Sequence, residues 1–155
     1  MSTEWTYRLA TAADLAEIVG MLADDTLGTT REKFQVPLPD SYLQAFAIIA
    51  SDPHQELTVV ESAGEIIATF QLSFIQYLTH QGGIRAQIEA VRVKATYRGQ
   101  GIGTAVFQYA IRRAKEKGAH LLQLTTDKKR PDAQRFYEAL GFVASHEGMK
   151  LHLGP

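Results

Sequence analysis

Three glycines at alternate positions interrupt the stretch YRGQGIGTAV, residues 97–106. An apolar, strand-like run ends just before them, and an apolar pattern with helical spacing begins just after them. Glycine costs backbone entropy, so its repeated use indicates either a turn that requires positive φ or a close approach by another group. The stretch predicts a tight strand-to-helix connection and leaves open whether that connection also binds a ligand.

Hydrophobic periodicity predicts an α/β order around this connection. The predicted strands are residues 6–10, 57–62, 66–77, 85–93 and 121–126, with a last strand in the tail HEGMKLHL, residues 146–153. Four helices are predicted. The first follows a T-x-x-D capping box at Thr11 and Asp14 and ends at about Ala23, and the second covers residues 41–50. The third runs from the glycines to Gly118, and the fourth runs from Pro131 to Gly141. The order β-α-α-β-β-β-α-β-α-β favours helices packed on a mixed sheet.

Composition narrows the functional classes. A chain of 155 residues with 45% hydrophobic content fits one domain over residues 1–155. The net charge of −1 disfavours nucleic-acid and anionic-membrane partners. The absence of cysteine excludes thiol nucleophiles and thiolate metal sites, and the five scattered histidines predict no metal site. The polar N-terminus lacks a signal-peptide pattern, so we expect a soluble, cytoplasmic protein.

The glycines precede a helix, whose N-terminus offers unpaired N–H groups and a positive dipole end. Amides without side chains between them form a concave site for an anion such as phosphate. Gly103-Thr104-Ala105 does not end in the Lys-Ser/Thr of a Walker A loop, and Thr104 stands where a dinucleotide fingerprint needs its third glycine. A nicotinamide-dependent oxidoreductase is therefore disfavoured, and a turn without a ligand stays open.

Two motifs resemble one family. R98-x-x-G101-x-G103, after a strand ending in V-R-V, looks like the acyl-CoA pyrophosphate loop of the GNAT superfamily of N-acyltransferases, and RFYEALGF (135–142) resembles its closing helix. The resemblance implies a single GNAT domain whose mixed, mostly antiparallel sheet has 6–7 strands flanked by about four helices. It implies an acetyl-CoA-dependent N-acetyltransferase. The alternative is a non-catalytic acyl-CoA-binding sensor or interaction module.

The resemblance also implies which residues bind acetyl-CoA. The amides from Arg98 to Thr104 would hold the pyrophosphate, and the strand carrying Val91 would pair with the pantetheine arm, with the Val91 N–H facing the acetyl carbonyl. Arg130 stands where many members have an asparagine, so it would reach CoA phosphates or belong to a solvated loop. The expected cofactor-binding residues are Val91, Arg92, Val93, Arg98, Gly99, Gln100, Gly101, Ile102, Gly103, Thr104, Arg130 and Phe136.

Acetyl transfer to an amine also needs a base and an acid. Glu89 is the candidate base: it interrupts the apolar strand QIEAVRV two residues before Val91, which predicts that both share a face. Burial would require pairing of this carboxylate or a raised pKa; an ion pair with a neighbouring arginine or an exposed strand end is the alternative. Tyr137, at the family's tyrosine position, is the candidate acid, and a core aromatic is its alternative.

The acceptor is the least constrained part. We expect an amine-bearing small molecule or peptide, with no nucleic acid and no membrane partner. Asp24 and Asp25, after the first helix, would attract a cationic amine, or they form an ordinary polar helix exit. An acyl group longer than acetyl stays open, as does a homodimer, which rests on analogy with family members.

Overall fold

The computed structural model describes residues 4–25 and 27–154. The described chain divides into two compact units, one ending at Gln123 and the other beginning at Leu124. The expectation of a single domain over residues 1–155 stays a prediction.

The first unit contains one five-stranded sheet in the order β1-β2-β3-β4-β5. The strands are β1 (Thr6–Leu9), β2 (Gln55–Ser62), β3 (Glu65–Gln76), β4 (Ile84–Val93) and β5 (Ala119–Gln123). The pairs β1–β2, β2–β3 and β3–β4 are antiparallel, and β5 is parallel to β4. A parallel neighbour requires a crossover, which here is the helix that follows the glycine stretch.

The helices are α1 (Leu15–Ala23), α2 (Gly28–Arg31), α3 (Asp40–Ser51), α4 (Thr79–Gly82), α5 (Ile102–Glu116) and, in the second unit, α6 (Pro131–Ala139). Of these, α2 and α4 are single turns that the apolar periodicity did not predict. Two 3-10 turns, Ala12–Asp14 and Ala95–Tyr97, precede α1 and the glycine stretch. The predicted capping box is confirmed, since the Thr11 N–H donates to the Asp14 carboxylate at 2.7 Å.

The sheet of the first unit is covered on both faces. On one face, α5 lies over Phe70, whose ring meets Tyr109 edge-on at 5.8 Å between centroids. On the other face, α1 packs on the sheet through a cluster that includes Ile18 and Val59. β3 lies at the centre and is buried along most of its length, which accounts for its nearly continuous apolar sequence.

The expected strand and helix numbers are wrong in detail: the described residues form five strands rather than six or seven, and six helices rather than about four. The tail expected as a last strand, residues 146–153, forms no strand. Its alternating Met149, Leu151 and Leu153 are 93%, 84% and 92% exposed. Alternating apolar and polar residues favour a strand, but a strand also needs a neighbouring backbone with which to form hydrogen bonds.

Across the described ranges, no helix has both the length and the apolar character needed to cross a membrane.

Candidate functional site

The glycine stretch forms the connection between β4 and α5. Gly99 and Gly101 both have φ of +83°, the left-handed region that residues with a Cβ rarely adopt. Nothing lies within 4 Å of a Cβ built on either residue, so backbone conformation rather than crowding accounts for these two glycines. Gly101 is the N-cap of α5, so the loop presents the amides at the start of a 15-residue helix.

The other residues of the stretch differ in their surroundings. Ile102 is 1% exposed and packs in the core, which leaves only its backbone for a ligand. Gln100 is exposed, while Gly103 and Thr104 are half-buried in the first turn of α5. Arg98 is exposed; its Nε donates to the Val93 carbonyl at 3.2 Å.

The entry to this loop is held by a contact that the sequence analysis missed. Glu65, at the start of β3, accepts hydrogen bonds from Lys94 Nζ at 2.9 Å and from the Tyr97 hydroxyl. These hydrogen bonds lower the pKa of Glu65 and raise that of Tyr97. They join the turn before the glycines to the β2–β3 hairpin.

β4 contains a β-bulge just before the loop. Its register on β3 passes from Gln71–Glu89 to Thr69–Arg92, so Ala90 and Val91 together oppose Phe70. Ala90 has φ of +55°, a strained conformation for alanine. Bulges interrupt the ladder of hydrogen bonds and are frequent beside active sites. This bulge lies where the family resemblance expects the acetyl carbonyl.

The bulge changes the expected facing of side chains. Strict alternation predicted that Glu89 and Val91 share a face, but the bulge shifts the register after Glu89, so Arg92 takes the paired position that alternation gave to Val91. Directly opposed residues share a face, so Gln71 and Thr69 place Glu89 and Arg92 on the same face. Val93, opposite Ala68, lies on the other face of the sheet.

The pairing of β4 with β5 is short. It runs only from Ile84–Ala119 to Gln87–Gln123, so residues 88–93 of β4 lie beyond the paired stretch. The resemblance leads us to expect such a divergence, because an extended ligand arm can pair with a strand edge that has no neighbouring strand.

The Glu89 side chain is exposed, which agrees with the alternative of an exposed strand end and not with a buried carboxylate. Its Oε1 accepts a hydrogen bond from Gln87 Nε2, and Gln87 Oε1 accepts one from Gln123 Nε2 at 2.9 Å. Two glutamines therefore orient the carboxylate. Neither was a candidate, although Gln87 stands two residues before Glu89 and strand alternation gives them a common face.

Arg92 is largely buried and forms an ion pair with Asp25, with Nη2 3.0 Å from Oδ2. A second, looser pair joins Arg98 Nη2 to Asp24 Oδ2 at 3.9 Å. The two acidic residues after α1 thus face arginines of β4 and of the glycine loop. This arrangement removes the main support for the hypothesis that they attract a cationic amine.

A cavity of about 110 Å³ lies beside the bulge, between α1, α3 and the sheet. It reaches Ala90 and Gln71, the residues next to and opposite Glu89. Its lining residues are Leu15, Ile18, Val19, Leu22, Tyr42, Ala45, Phe46, Ile49, Leu57, Thr69, Gln71 and Ala90. The periodicity of α1 and α3 indicated apolar faces, but it could not predict that the two faces leave a space between them.

The second unit carries the remaining candidates on α6. The half-buried Tyr137 lies in an aromatic cluster, with Phe136 edge-on at 5.6 Å and Phe142 edge-on at 6.1 Å between ring centroids. The Phe142 N–H donates to the Tyr137 carbonyl at 3.1 Å and closes the end of the helix. Phe136 is 36% exposed. The tyrosine is therefore oriented by its two phenylalanine neighbours and by the helix end.

Arg130 is the N-cap residue of α6, and Pro131 follows it. Its N–H donates to the Asp127 carbonyl at 2.9 Å, while the Asp127 side chain accepts from the Lys129 N–H at 2.8 Å. Lys128 forms an exposed ion pair with Glu147 at 3.2 Å. Asp127 thus shapes the backbone that presents the basic cluster 128–130.

In the part of the chain that the structure describes, no group of three or more His, Asp or Glu side chains gathers in a way that could hold a metal ion.

Comparisons with known proteins show what the chain is similar to in sequence and fold. Residues 17–142 match the model of the acetyltransferase (GNAT) family. The chain is 32% identical over 106 residues to an aminoalkylphosphonate N-acetyltransferase of Salmonella typhimurium, which covers 68% of each chain. The fold of this chain superposes with a TM-score of 0.93 on a Bacillus halodurans C-125 structure described as a transcriptional regulator. The two sequences are 55% identical, and the match covers 97% of this chain and 100% of the other. An acetyltransferase from Trypanosoma brucei is 25% identical, with a TM-score of 0.77 and coverage of 97% and 100%.

Proposed function

This chain belongs to the acetyltransferase (GNAT) family, and on that premise we propose that it transfers an acetyl group from acetyl-CoA to a primary amine by direct attack. The observation that carries the proposal is the loop at the N-terminus of α5, where Gly99 and Gly101 adopt φ of +83°. Consecutive amides in such a loop suit a diphosphate. The proposed diphosphate contacts are the amides from Arg98 to Thr104, with Arg98 adding positive charge. Arg130 and Phe136 are further proposed contacts of CoA, and no metal takes part.

The bulge in β4 supports the next step. The amine nitrogen attacks the thioester carbon, a C–N bond forms and the C–S bond breaks, while negative charge develops on the carbonyl oxygen. A backbone N–H at Val91 is the proposed donor to that oxygen. Arg92 and Val93 continue the strand edge along which the pantetheine arm would lie.

Two proton transfers complete the proposed acetyl transfer. An ammonium has no lone pair, so the attacking amine must lose a proton; the Glu89 carboxylate, oriented by Gln87, is the proposed acceptor, directly or through a water molecule. The departing thiolate needs a proton, and Tyr137 is the proposed donor on the strength of its family motif. A phenol is a weak acid for this purpose, so it must act through a hydrogen bond formed with the leaving sulfur.

A non-catalytic acyl-CoA sensor is the second candidate, and the 55% identical structure described as a transcriptional regulator favours keeping it. Both functions require acyl-CoA binding, but only the enzyme requires Glu89 and Tyr137. Release of free CoA in the presence of an amine would distinguish the two.

The first test follows thermal unfolding with acetyl-CoA, CoA or NADH. A ligand at about 100 times its Kd should stabilise the native state by roughly 2.7 kcal/mol. We expect both CoA species to raise the midpoint and NADH to leave it unchanged. If neither CoA species changes it, the loop is only a turn and the proposed function fails.

A further inference from the structure

The cavity beside the bulge is lined mainly by apolar side chains. Its lining, formed by residues of α1, α3, β2, β3 and β4 that the structure describes, contains no lysine, arginine or histidine. Eight of the twelve lining residues are leucine, isoleucine, valine, phenylalanine or tyrosine. A phosphate or phosphonate group entering this space would lose part of its hydration and meet no cation in the lining.

The polar side chains of the lining are already engaged elsewhere. Thr69 Oγ1 donates to the Thr58 carbonyl at 2.9 Å, and Gln71 Nε2 donates to Gln55 Oε1 at 2.6 Å. The Tyr42 hydroxyl donates to Glu32 Oε1 and accepts from the Lys33 N–H, both at 2.9 Å. A ligand in the cavity would therefore gain from apolar contact, and these three polar groups have little to offer it.

The size of the cavity limits what it holds. A cavity of 150 Å³ lined by aliphatic and aromatic side chains binds benzene, so the 110 Å³ here suits a branched alkyl group of about four or five carbons. Each methylene buried in such a space strengthens binding by about fourfold.

The position of the cavity relates it to the reaction. Ala90 lines the cavity and is the left-handed residue of the bulge. Gln71 also lines it and directly opposes Glu89, so Glu89 lies on the cavity's face of the sheet. A molecule whose alkyl end fills the cavity can present its other end to the carboxylate and to the bulge.

We infer that the acceptor is a primary amine carrying a compact, branched apolar substituent, which occupies this cavity while the amino group faces Glu89. The inference rests on the proposed function and deepens it. It sets this chain apart from the relative named for aminoalkylphosphonates, to which it is 32% identical. The acyl chain of a longer donor has the same chemistry as this substituent, so the experiment must separate the two sources.

The test compares kcat/KM for 3-methylbutylamine, methylamine and aminomethylphosphonate, each with acetyl-CoA. The diagnostic variant is Ala45→Leu, which adds a side chain at the cavity from α3; the matched control is Ala47→Leu, an exposed position on the same helix outside the lining. Unfolding midpoints establish that both variants fold. A second arm measures donor use with 3-methylbutanoyl-CoA, and calorimetry measures binding of 3-methylbutylamine without turnover.

We expect 3-methylbutylamine to exceed methylamine by 10- to 100-fold in kcat/KM. Ala45→Leu should reduce this preference at least 10-fold and weaken 3-methylbutylamine binding, while Ala47→Leu preserves both. A preference for aminomethylphosphonate, or an unchanged preference in Ala45→Leu, would overturn the inference. A variant that loses only 3-methylbutanoyl-CoA would overturn it too, by assigning the cavity to the acyl donor.

Failure of the proposed function looks different. A protein that binds acetyl-CoA and acetylates other amines but neither binds nor acetylates 3-methylbutylamine keeps the proposed function and refutes the inference. A protein that does not bind acetyl-CoA refutes the proposed function, and the inferred acceptor site is refuted with it.

Discussion

Asp25 and Arg92 form a largely buried ion pair between the end of α1 and β4, with Oδ2 and Nη2 3.0 Å apart. The two side chains are 12% and 16% exposed. Arg92 follows the bulge and also donates to the Val91 carbonyl at 2.9 Å. The pair therefore connects the helix that lines the cavity to the strand segment proposed to receive the acetyl group.

We predict that Asp25→Asn destabilises the fold by about 1–3 kcal/mol, because it takes the carboxylate from a guanidinium that is largely out of water. Chemical denaturation measures the change. Asp24→Asn is the matched control: its pair with Arg98 is 3.9 Å long and both side chains are more than half exposed, so its effect should stay within about 0.5 kcal/mol. Equal effects from the two variants would contradict a structural role for the Asp25 pair.

Gly101→Ala should weaken CoA binding more than it weakens the fold. The left-handed conformation costs an alanine roughly 1–2 kcal/mol, and relief of that strain would move the amides at the start of α5. Gly64→Ala is the control: Gly64 has φ of +78° with open space around its Cβ position, but it lies in the β2–β3 turn. Calorimetric titration with CoA should give a raised Kd for Gly101→Ala and an unchanged Kd for Gly64→Ala. An equal rise in the Kd of both variants would indicate that backbone strain anywhere in the fold weakens CoA binding, and would contradict a specific role for the loop.

Local signals in the sequence predicted much of this arrangement. The capping box at Thr11 and Asp14, the hairpin of β2 and β3, and the glycine connection all depend on neighbouring residues, and each is present in the structure. The bulge could not be predicted in this way, because its left-handed position is occupied by Ala90 and not by the glycine that usually marks such a position. It appears only when β4 is paired with β3.

The contacts around the candidate site that the sequence did not predict are mostly long-range. Arg92 and Asp25 are 67 positions apart, and Gln123 reaches Gln87 across 36 positions, so spacing alone could not join them. The exposure of Glu89 has the same origin: a carboxylate within an apolar run indicates burial only if the next strand continues alongside, and the pairing with β5 ends at Gln87.

Tyr137→Phe should lower kcat by about 100-fold or more with an unchanged Kd for acetyl-CoA. The substitution removes the proton donor and keeps the ring that packs edge-on against Phe136 and Phe142. Tyr109→Phe serves as the control, because that ring stacks on Tyr7 on the α5 face of the sheet. Steady-state kinetics and calorimetry provide the two readouts. Unchanged turnover in Tyr137→Phe would remove this residue from the mechanism.

Acid stability should depend on Asp14. The bidentate hydrogen bonds from Arg8, at 2.7 and 3.0 Å, lower the pKa of Asp14 to about 2, below its ordinary value of 3.8. A lowered native pKa contributes stability above about pH 4, and that contribution is lost as pH falls towards 2. Asp14→Asn should therefore cost roughly 1–2 kcal/mol at pH 7 and almost nothing near pH 2.

Denaturation curves at several pH values measure this difference. Asp40→Asn, at an exposed carboxylate in the first turn of α3, provides the control and should change stability by well under 1 kcal/mol. A pH-independent deficit in Asp14→Asn would assign the loss to altered capping at Thr11 instead of to the ion pair.

Glu89→Gln should change the pH dependence of the reaction as well as its rate. Without a carboxylate to accept the proton, the enzyme must capture the small fraction of amine that is already neutral, so kcat/KM at pH 7 should fall by about 100-fold or more. The deficit should shrink as pH rises towards the amine pKa of about 10, because the neutral fraction grows. Glu17→Gln, at an exposed position on α1, should keep the wild-type profile. The Kd of acetyl-CoA should be the same in all three proteins, since Glu89 is proposed to handle only the acceptor's proton. A uniform loss across pH, or no loss, would mean that Glu89 is not the base and that the acceptor reaches the site already neutral or loses its proton to another group.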